Sequence, residues 1–257
     1  MKPVYPVYIV GAGPGDPELL TVKAQRLLAE ADRIIWAGSL VNPALRRIAK
    51  PEAEWLDSAA MTLEEIIVAI REGWERGQRV VRLHSGDPSL YGAIGEQMRR
   101  LDEAGIPYEL IPGVSSFLAA AAALQLEYTV PEATQTVIIT RMAGATPVPD
   151  RERLAELARH RSSICIFLSI QQIEQVAAEL ASVLPPATAV AVVEKASWPE
   201  QRIIRGSLAD IGAKVKAAGI QKTALVIVGP CLEREGTRSK LYDGEFSHEY
   251  RRSRQDG

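Results

Sequence analysis

Apolar positions along this chain fall into two alternating rhythms. Short β-rich runs, "PVYIV", "RIIWA", "QRVVRL" and "PYELI", read as strands in the first half. Between them lie helix-period stretches. "LEEIIVAIREGWER" places Leu63, Ile66, Ile67, Ile70 and Trp74 on one face, and "SLYGAIGEQMRRLDEAG" predicts a helix closing at Gly105. This β-α-β order calls for a mostly parallel sheet covered by helices. After the alanine-rich "SSFLAAAAALQLE" the rhythm resumes. "QTVIIT", "SICIFL" and "TALVIVG" read as strands, and "RERLAELARH", "QQIEQVAAELASV" and "LADIGAKVKAAG" as helices. "ATAVAVVE" and "QRIIRG" flank the turn-like "KASWPE", which predicts an antiparallel pair. The change of domain falls between Pro112 and Thr134, giving domains at 1–113 and 114–257. No fixed-period repeat or low-complexity linker interrupts the pattern.

Three of the predicted strand ends run into glycine-containing loops: "VGAGPGDPELLT" after the first, "RLHSGDPSLYG" after "QRVVRL", and "IPGVSSF" after "PYELI". If the strands are parallel, all three loops share the carboxyl edge of one sheet, where open α/β sheets bind ligands. Glycine there lets a ligand approach the backbone. The first loop is a poor dinucleotide fingerprint. Gly11 and Gly13 fit G-x-G-x-x-G, but Asp16 holds the third position, and "RIIWA" ends in Ala37, Gly38 and Ser39 without an acid for a ribose. No Gly-Lys-Ser/Thr follows, so it is not a P-loop either. A purely structural reading also stands: Asp16 and Asp87 as N-caps with Pro17 and Pro88 at the first helical position, and Ser115 capping the alanine-rich helix.

Composition narrows the classes. The formal net charge of -2 over 257 residues gives no reason to expect a nucleic-acid partner, and the basic cluster Arg251, Arg252 and Arg254 reads as a solvated end. No run is long and apolar enough to span a membrane, and the N-terminus lacks a signal-peptide pattern. Cys165 and Cys231 are too few for a disulfide framework, so a cytoplasmic location is expected. His84, His160 and His248 lack zinc-ligand spacing, and no metal is expected.

The chain resembles the tetrapyrrole (precorrin) methylases. "VGAGPGDPELLT", "RLHSGDPSLYG", "PGVSS", "TQTVIITR" and "TPVP" occur in that order in the family, and the resemblance covers roughly Val7 to Arg251. "TQTVIITR", "TPVP", "KASWPEQRI" and the tail "SKLYDGEFSHEYR" are similar to the members that methylate C11 of precorrin-4 or its cobalt form in cobalamin biosynthesis. The resemblance implies an α/β fold of two domains, with a mostly parallel N-terminal sheet, a mixed C-terminal sheet and the active-site cleft between them. It implies a homodimer, S-adenosylmethionine as methyl donor with S-adenosylhomocysteine as product, and a tetrapyrrole substrate carrying several carboxylates. Carried over residue by residue, the cofactor site comprises Pro14, Ser85, Gly86, Asp87, Leu90, Ser115, Ser116, Leu168, Ala196, Thr223 and Ala224. Arg141 is the first candidate for a substrate carboxylate, ahead of Lys195 and Arg82, and His84 and Tyr91 are candidates to meet the macrocycle. Methyl transfer from a sulfonium needs positioning more than an enzyme nucleophile, and no catalytic acid or base is assigned. Three alternatives stay open: another tetrapyrrole methylase or a diphthine synthase, a nicotinamide-dependent oxidoreductase, and a non-enzymatic binding module.

Overall fold

A computed structural model describes residues 5–233 together with 246, 247, 249 and 250. In chain order the elements are β1 (Val7–Gly11), α1 (Val22–Glu30), β2 (Arg33–Trp36), β3 (Glu54–Asp57), α2 (Leu63–Glu75), β4 (Val80–His84), α3 (Ile94–Glu103), β5 (Tyr108–Ile111), α4 (Ser116–Leu124), β6 (Val137–Arg141), α5 (Leu154–Ala158), β7 (Ser163–Phe167), α6 (Ile173–Ala181), β8 (Ala189–Glu194), β9 (Arg202–Ser207), α7 (Ile211–Ala217) and β10 (Ala224–Val228). They divide into two compact units. One runs through Ala123 and takes in Lys195–Gln201; the other comprises Leu124–Glu194 and the chain from Arg202.

The first unit holds a five-stranded sheet in the order β3-β2-β4-β1-β5, with every pairing parallel. Alternation along the strands sends side chains to opposite faces. Val10, Ile34, Val81 and Leu83 pack with Leu27 and Leu28 of α1. Val7, Ile9, Ile35 and Val80 pack with Ile66, Ile67 and Ile70 of α2 and Leu101 of α3. Helices on both faces explain why the strands read as nearly continuous apolar runs. The sequence pattern missed β3, "EWLD", because it is an edge strand whose two end residues are exposed, so no apolar run marks it. A Thr62–Glu65 capping box starts α2.

The second unit holds a mixed sheet, β6-β7-β10-β8-β9, in which only β6 and β7 are parallel. The β8–β9 antiparallel pair matches the expectation from sequence. Ile164, Ile166, Val190, Val192, Val226 and Val228 turn one face toward Leu154 of α5, Ile173, Val176 and Leu180 of α6, and Ile211 and Val215 of α7. Cys165 and Cys231 are free thiols, both buried. Burial pushes the Cys165 thiol up to about 12, which keeps it inert.

Two helix starts differ from the sequence reading. The helix expected from Ser89 begins at Ile94, because Tyr91 (φ 58°) and Ala93 (φ 50°) are left-handed and break the run. Asp16 caps only a single 3-10 turn, Pro17–Leu19, and α1 begins later with Thr21 as its cap.

Candidate functional site

Register in the first sheet pairs Gly11 with His84 and Val10 with Ile111, so β4, β1 and β5 end at one level. The three glycine loops therefore meet, and they interlock. Gly86 N–H donates to the Gly13 carbonyl at 2.8 Å, and Gly13 N–H returns a bond to the Gly86 carbonyl at 3.2 Å. Gly113 N–H donates to Asp87 Oδ2 at 2.8 Å. Asp87 Oδ1 accepts from Ser89 N–H at 2.9 Å and from the Ser89 hydroxyl. Burial would raise the Asp87 pKa, yet these donors hold it below the usual carboxylate value, so it stays ionised. Its capping role is real but local: it closes a turn across residues 87–90 rather than starting a helix.

Crowding itself requires glycine in this knot. A Cβ on Gly113 would lie 2.2 Å from the Gly86 carbonyl oxygen, and one on Gly11 would lie 2.6 Å from Gly113 Cα. Gly86 is different. Its φ of 61° needs glycine, but a Cβ would meet nothing nearer than Ser115 Cα at 3.7 Å and Ser116 N at 3.9 Å. A methyl there would fill the gap facing the Ser115–Ser116 loop, a cradle of backbone and small polar side chains.

Pro14, Ser85, Leu90 and Ser116 are half-buried beside this knot, Ser115 is buried, and Tyr91 is exposed. Ala196 is buried between two strained residues, Lys195 (φ 47°) and Ser197 (φ 68°). The turn 195–201 that carries it belongs to the first unit. There the Trp198 indole Nε1–H donates to the Pro14 carbonyl at 2.8 Å, and Asp16 N–H donates to the Ser197 hydroxyl oxygen at 3.0 Å. Sequence reasoning treated "KASWPE" as a turn and gave Trp198 no role; contacts across 184 residues leave no local signal.

His84 and Arg82 point from β4 into the layer beside α3. Arg82 is buried and bonds Gln97 Oε1, the Ile35 carbonyl and the Ser58 hydroxyl at 3.0–3.2 Å. Burial lowers its pKa to about 10. His84 is also buried, and its Nε2 has no hydrogen-bond partner. Burial first, and then the Arg82 charge, push the imidazole down to about 3, against an opposing hydrogen bond with Gln97. His84 is therefore neutral at physiological pH.

In the second unit, Arg141, Leu168, Thr223 and Ala224 share one end of the sheet. Arg141 pairs with Phe167, and continuing the Val226–Ile166 register by two residues sets Ala224 opposite Leu168. Leu168 (φ 53°) and Thr223 (φ 53°) are left-handed, and Leu168 is 70% exposed. Leu168, just past the end of β7, thus presents an apolar side chain to solvent on left-handed backbone. Arg141 does something the sequence did not show. Its guanidinium donates to the carbonyls of Met142 (3.3 Å), Thr146 (3.0 Å) and Pro147 (2.8 Å), strapping the loop that carries "TPVP".

Among the described residues no three His, Cys, Asp or Glu side chains cluster to hold a metal, and no helix is long and apolar enough to cross a membrane. Asp57, the acid nearest the end of β2, accepts from Gly38 and Ala59 N–H at 3.0 Å and so closes a turn.

Fold and site thus define a two-unit α/β protein whose parallel sheet gathers backbone-rich glycine loops at its carboxyl edge. Residues 6–212 match the family model of the tetrapyrrole (corrin/porphyrin) methylases, and the chain belongs to that family. It is 53% identical to a cobalt-precorrin-4 C(11)-methyltransferase of Methanocaldococcus jannaschii over 96% of both chains. It is 47% identical to a precorrin-4 C(11)-methyltransferase of Pseudomonas aeruginosa over 95% of this chain and 98% of that one. Among solved structures, a cobalt-precorrin-4 methyltransferase described as a cobalamin biosynthetic enzyme superposes with a TM-score of 0.86 at 45% identity, covering 88% of this chain and 95% of that one. A uroporphyrin-III C-methyltransferase of Thermus thermophilus complexed with S-adenosylhomocysteine superposes with a TM-score of 0.74 at 29% identity, covering 89% and 94%.

Proposed function

We propose that this protein is an S-adenosylmethionine-dependent methyltransferase acting on C11 of precorrin-4, with or without cobalt, in cobalamin biosynthesis. The end-to-end identity of 53% with the Methanocaldococcus enzyme carries this reading, because it spans both units rather than the shared glycine loops alone. The cofactor assignment is supported by the Thermus relative solved with S-adenosylhomocysteine.

Within this reading the chain's residues divide the work. Gly86, Ser115 and Ser116 offer backbone and hydroxyl groups to the methionine portion. Asp87, ionised and fixed by Gly113 and Ser89, places a negative charge for its ammonium. Pro14, Leu90 and Ala196 line the same edge. Leu168, Thr223 and Ala224 give the adenine an apolar, backbone-edged surface. The bound cofactor supplies a methyl group on a sulfonium, already activated for transfer. Holding the acceptor carbon in line is then the main contribution of the protein. Arg141 and Tyr91 are the proposed contacts to the macrocycle; His84, buried beside α3, is not one of them. We place the enzyme in the cytoplasm as a homodimer.

Calorimetric titration with S-adenosylhomocysteine and with NAD tests the cofactor. Binding of NAD alone would restore the oxidoreductase reading. Mass and NMR analysis of the product from metal-free and cobalt precorrin-4 tests the substrate; methylation elsewhere than C11, or of neither compound, overturns the assignment.

A further inference from the structure

We propose that Trp198 is a positioning residue for the cofactor loop, acting as a wedge that fixes Pro14–Asp16. The inference rests on the cofactor reading above. Its starting point is Gly15. A Cβ on that residue would lie 2.0 Å from Trp198 Cδ1 and 2.1 Å from Nε1, so the indole lies directly on the glycine backbone. No ligand is needed to explain this glycine; the indole occupies the space.

One backbone group of each of three consecutive residues is then taken by a side chain from outside the loop. The Pro14 carbonyl, the only backbone hydrogen-bonding group a proline has, accepts from the indole N–H at 2.8 Å. The Gly15 carbonyl accepts from Asn42 Nδ2–H at 2.8 Å. The Asp16 N–H donates to the Ser197 hydroxyl at 3.0 Å. A glycine-rich loop would otherwise sample many conformations, and ordering it on binding would weaken the ligand. Two consecutive peptide units, 14–15 and 15–16, fixed in this way remove that loss in advance.

The wedge is itself held under strain. Lys195 and Ser197 both have positive φ. Their turn persists because Gln201 Oε1 accepts from Ser197 N–H at 2.8 Å and the Lys195 carbonyl from Trp198 N–H at 2.9 Å, while the Lys195 ammonium lies 5.6 Å from the indole centroid. Strain of this kind survives only where surrounding contacts over-determine it. The connection between β8 and β9, residues 195–201, is also longer than the two to five residues, roughly, that a hairpin needs. The additional length carries Ser197 and Trp198 to the first glycine loop. Trp198 thus ties Pro14 to the turn that carries Ala196.

The test compares Trp198→Phe, which keeps a ring and deletes the donor, with the parent. Dissociation constants for S-adenosylhomocysteine come from calorimetry, with indole fluorescence as a second readout. The expected result is about a five- to tenfold weaker complex for Trp198→Phe, the scale of one lost hydrogen bond, with the tetrapyrrole KM within about twofold of the parent. A coupling test follows. Gly15→Ala should weaken binding in the parent through both the ring clash and the positive φ of 156°, and less when added to Trp198→Ala, where only the backbone strain remains. If Trp198→Phe lowers only the melting temperature and leaves affinity intact, the proposal is overturned. If the parent itself does not bind S-adenosylhomocysteine, the cofactor reading falls and takes this proposal with it. Should Trp198→Ala not fold, the Phe variant alone decides.

Discussion

Single residues at the carboxyl edge of the first sheet do two jobs. Asp87 is both a turn cap and an ionised carboxylate among the glycine loops. Removing it in Asp87→Ala should weaken S-adenosylhomocysteine by about 1–3 kcal/mol, the range for losing a hydrogen-bonded charge. Unchanged affinity in a folded variant, measured by calorimetry, would leave Asp87 as a cap only. His84 makes a pH prediction whose sign follows from burial. Its folded pKa is about 3, well below the ordinary 6.5. Between those values the unfolded chain takes up a proton and the folded one does not. Stability is therefore lost as pH falls below 6.5, at up to about 1.4 kcal/mol per pH unit from this group. Urea unfolding of His84→Gln and parent should show a flatter slope for the variant across that window. Parallel slopes would show that the ring is reached by water.

At the scale of elements, the glycine knot and the Arg141 strap carry the predictions. Gly113→Ala forces a Cβ to 2.2 Å from a carbonyl oxygen that belongs to the neighbouring loop. Gly86→Ala meets no such contact and incurs chiefly the left-handed backbone penalty of about 1–2 kcal/mol. Chemical unfolding should rank Gly113→Ala as clearly the more destabilised. Equal losses would mean that the loops separate easily. Arg141→Ala frees the carbonyls of Met142, Thr146 and Pro147, so amide exchange should rise across residues 142–149. Under the proposed contact to a substrate carboxylate, the tetrapyrrole KM should also rise, with a salt dependence in the parent that the variant loses. Loop exchange that rises with unaltered kinetics would make Arg141 a strap and nothing more.

For the whole molecule, the aromatic tail Ser239–Arg251 is the untested part. All but Phe246, Ser247, Glu249 and Tyr250 lies outside the described residues. Leu241, Tyr242, Phe246 and Tyr250 make this segment too apolar for an idle end, and its sequence resembles the C11 enzymes rather than the family at large. Truncation after Arg238 should leave a folded chain that binds S-adenosylhomocysteine but loses precorrin-4 methylation or its dimer, read by product analysis and sedimentation. A truncated protein that keeps both, with only a lower melting temperature, would reduce the tail to a clamp on its own unit.

Periodicity alone determined the two α/β halves, because strands buried on both faces and amphipathic helices leave different repeats in the chain. It placed the three glycine loops on one edge and the antiparallel β8–β9 pair. The edge strand β3 escaped it, since exposed ends erase the apolar signal. The late start of α3 escaped it too, because left-handed backbone at Tyr91 and Ala93 is a tertiary strain that no local preference encodes. The resemblance supplied the proposed cofactor residues by number. Only the folded chain decided what the glycines are for: Gly11 and Gly113 accommodate each other, Gly15 accommodates Trp198, and a Cβ on Gly86 would meet nothing nearer than 3.7 Å. The reason is physical. A glycine in a sequence announces that something comes close; whether that is a ligand, a second loop or an indole 183 residues away is set by long-range packing.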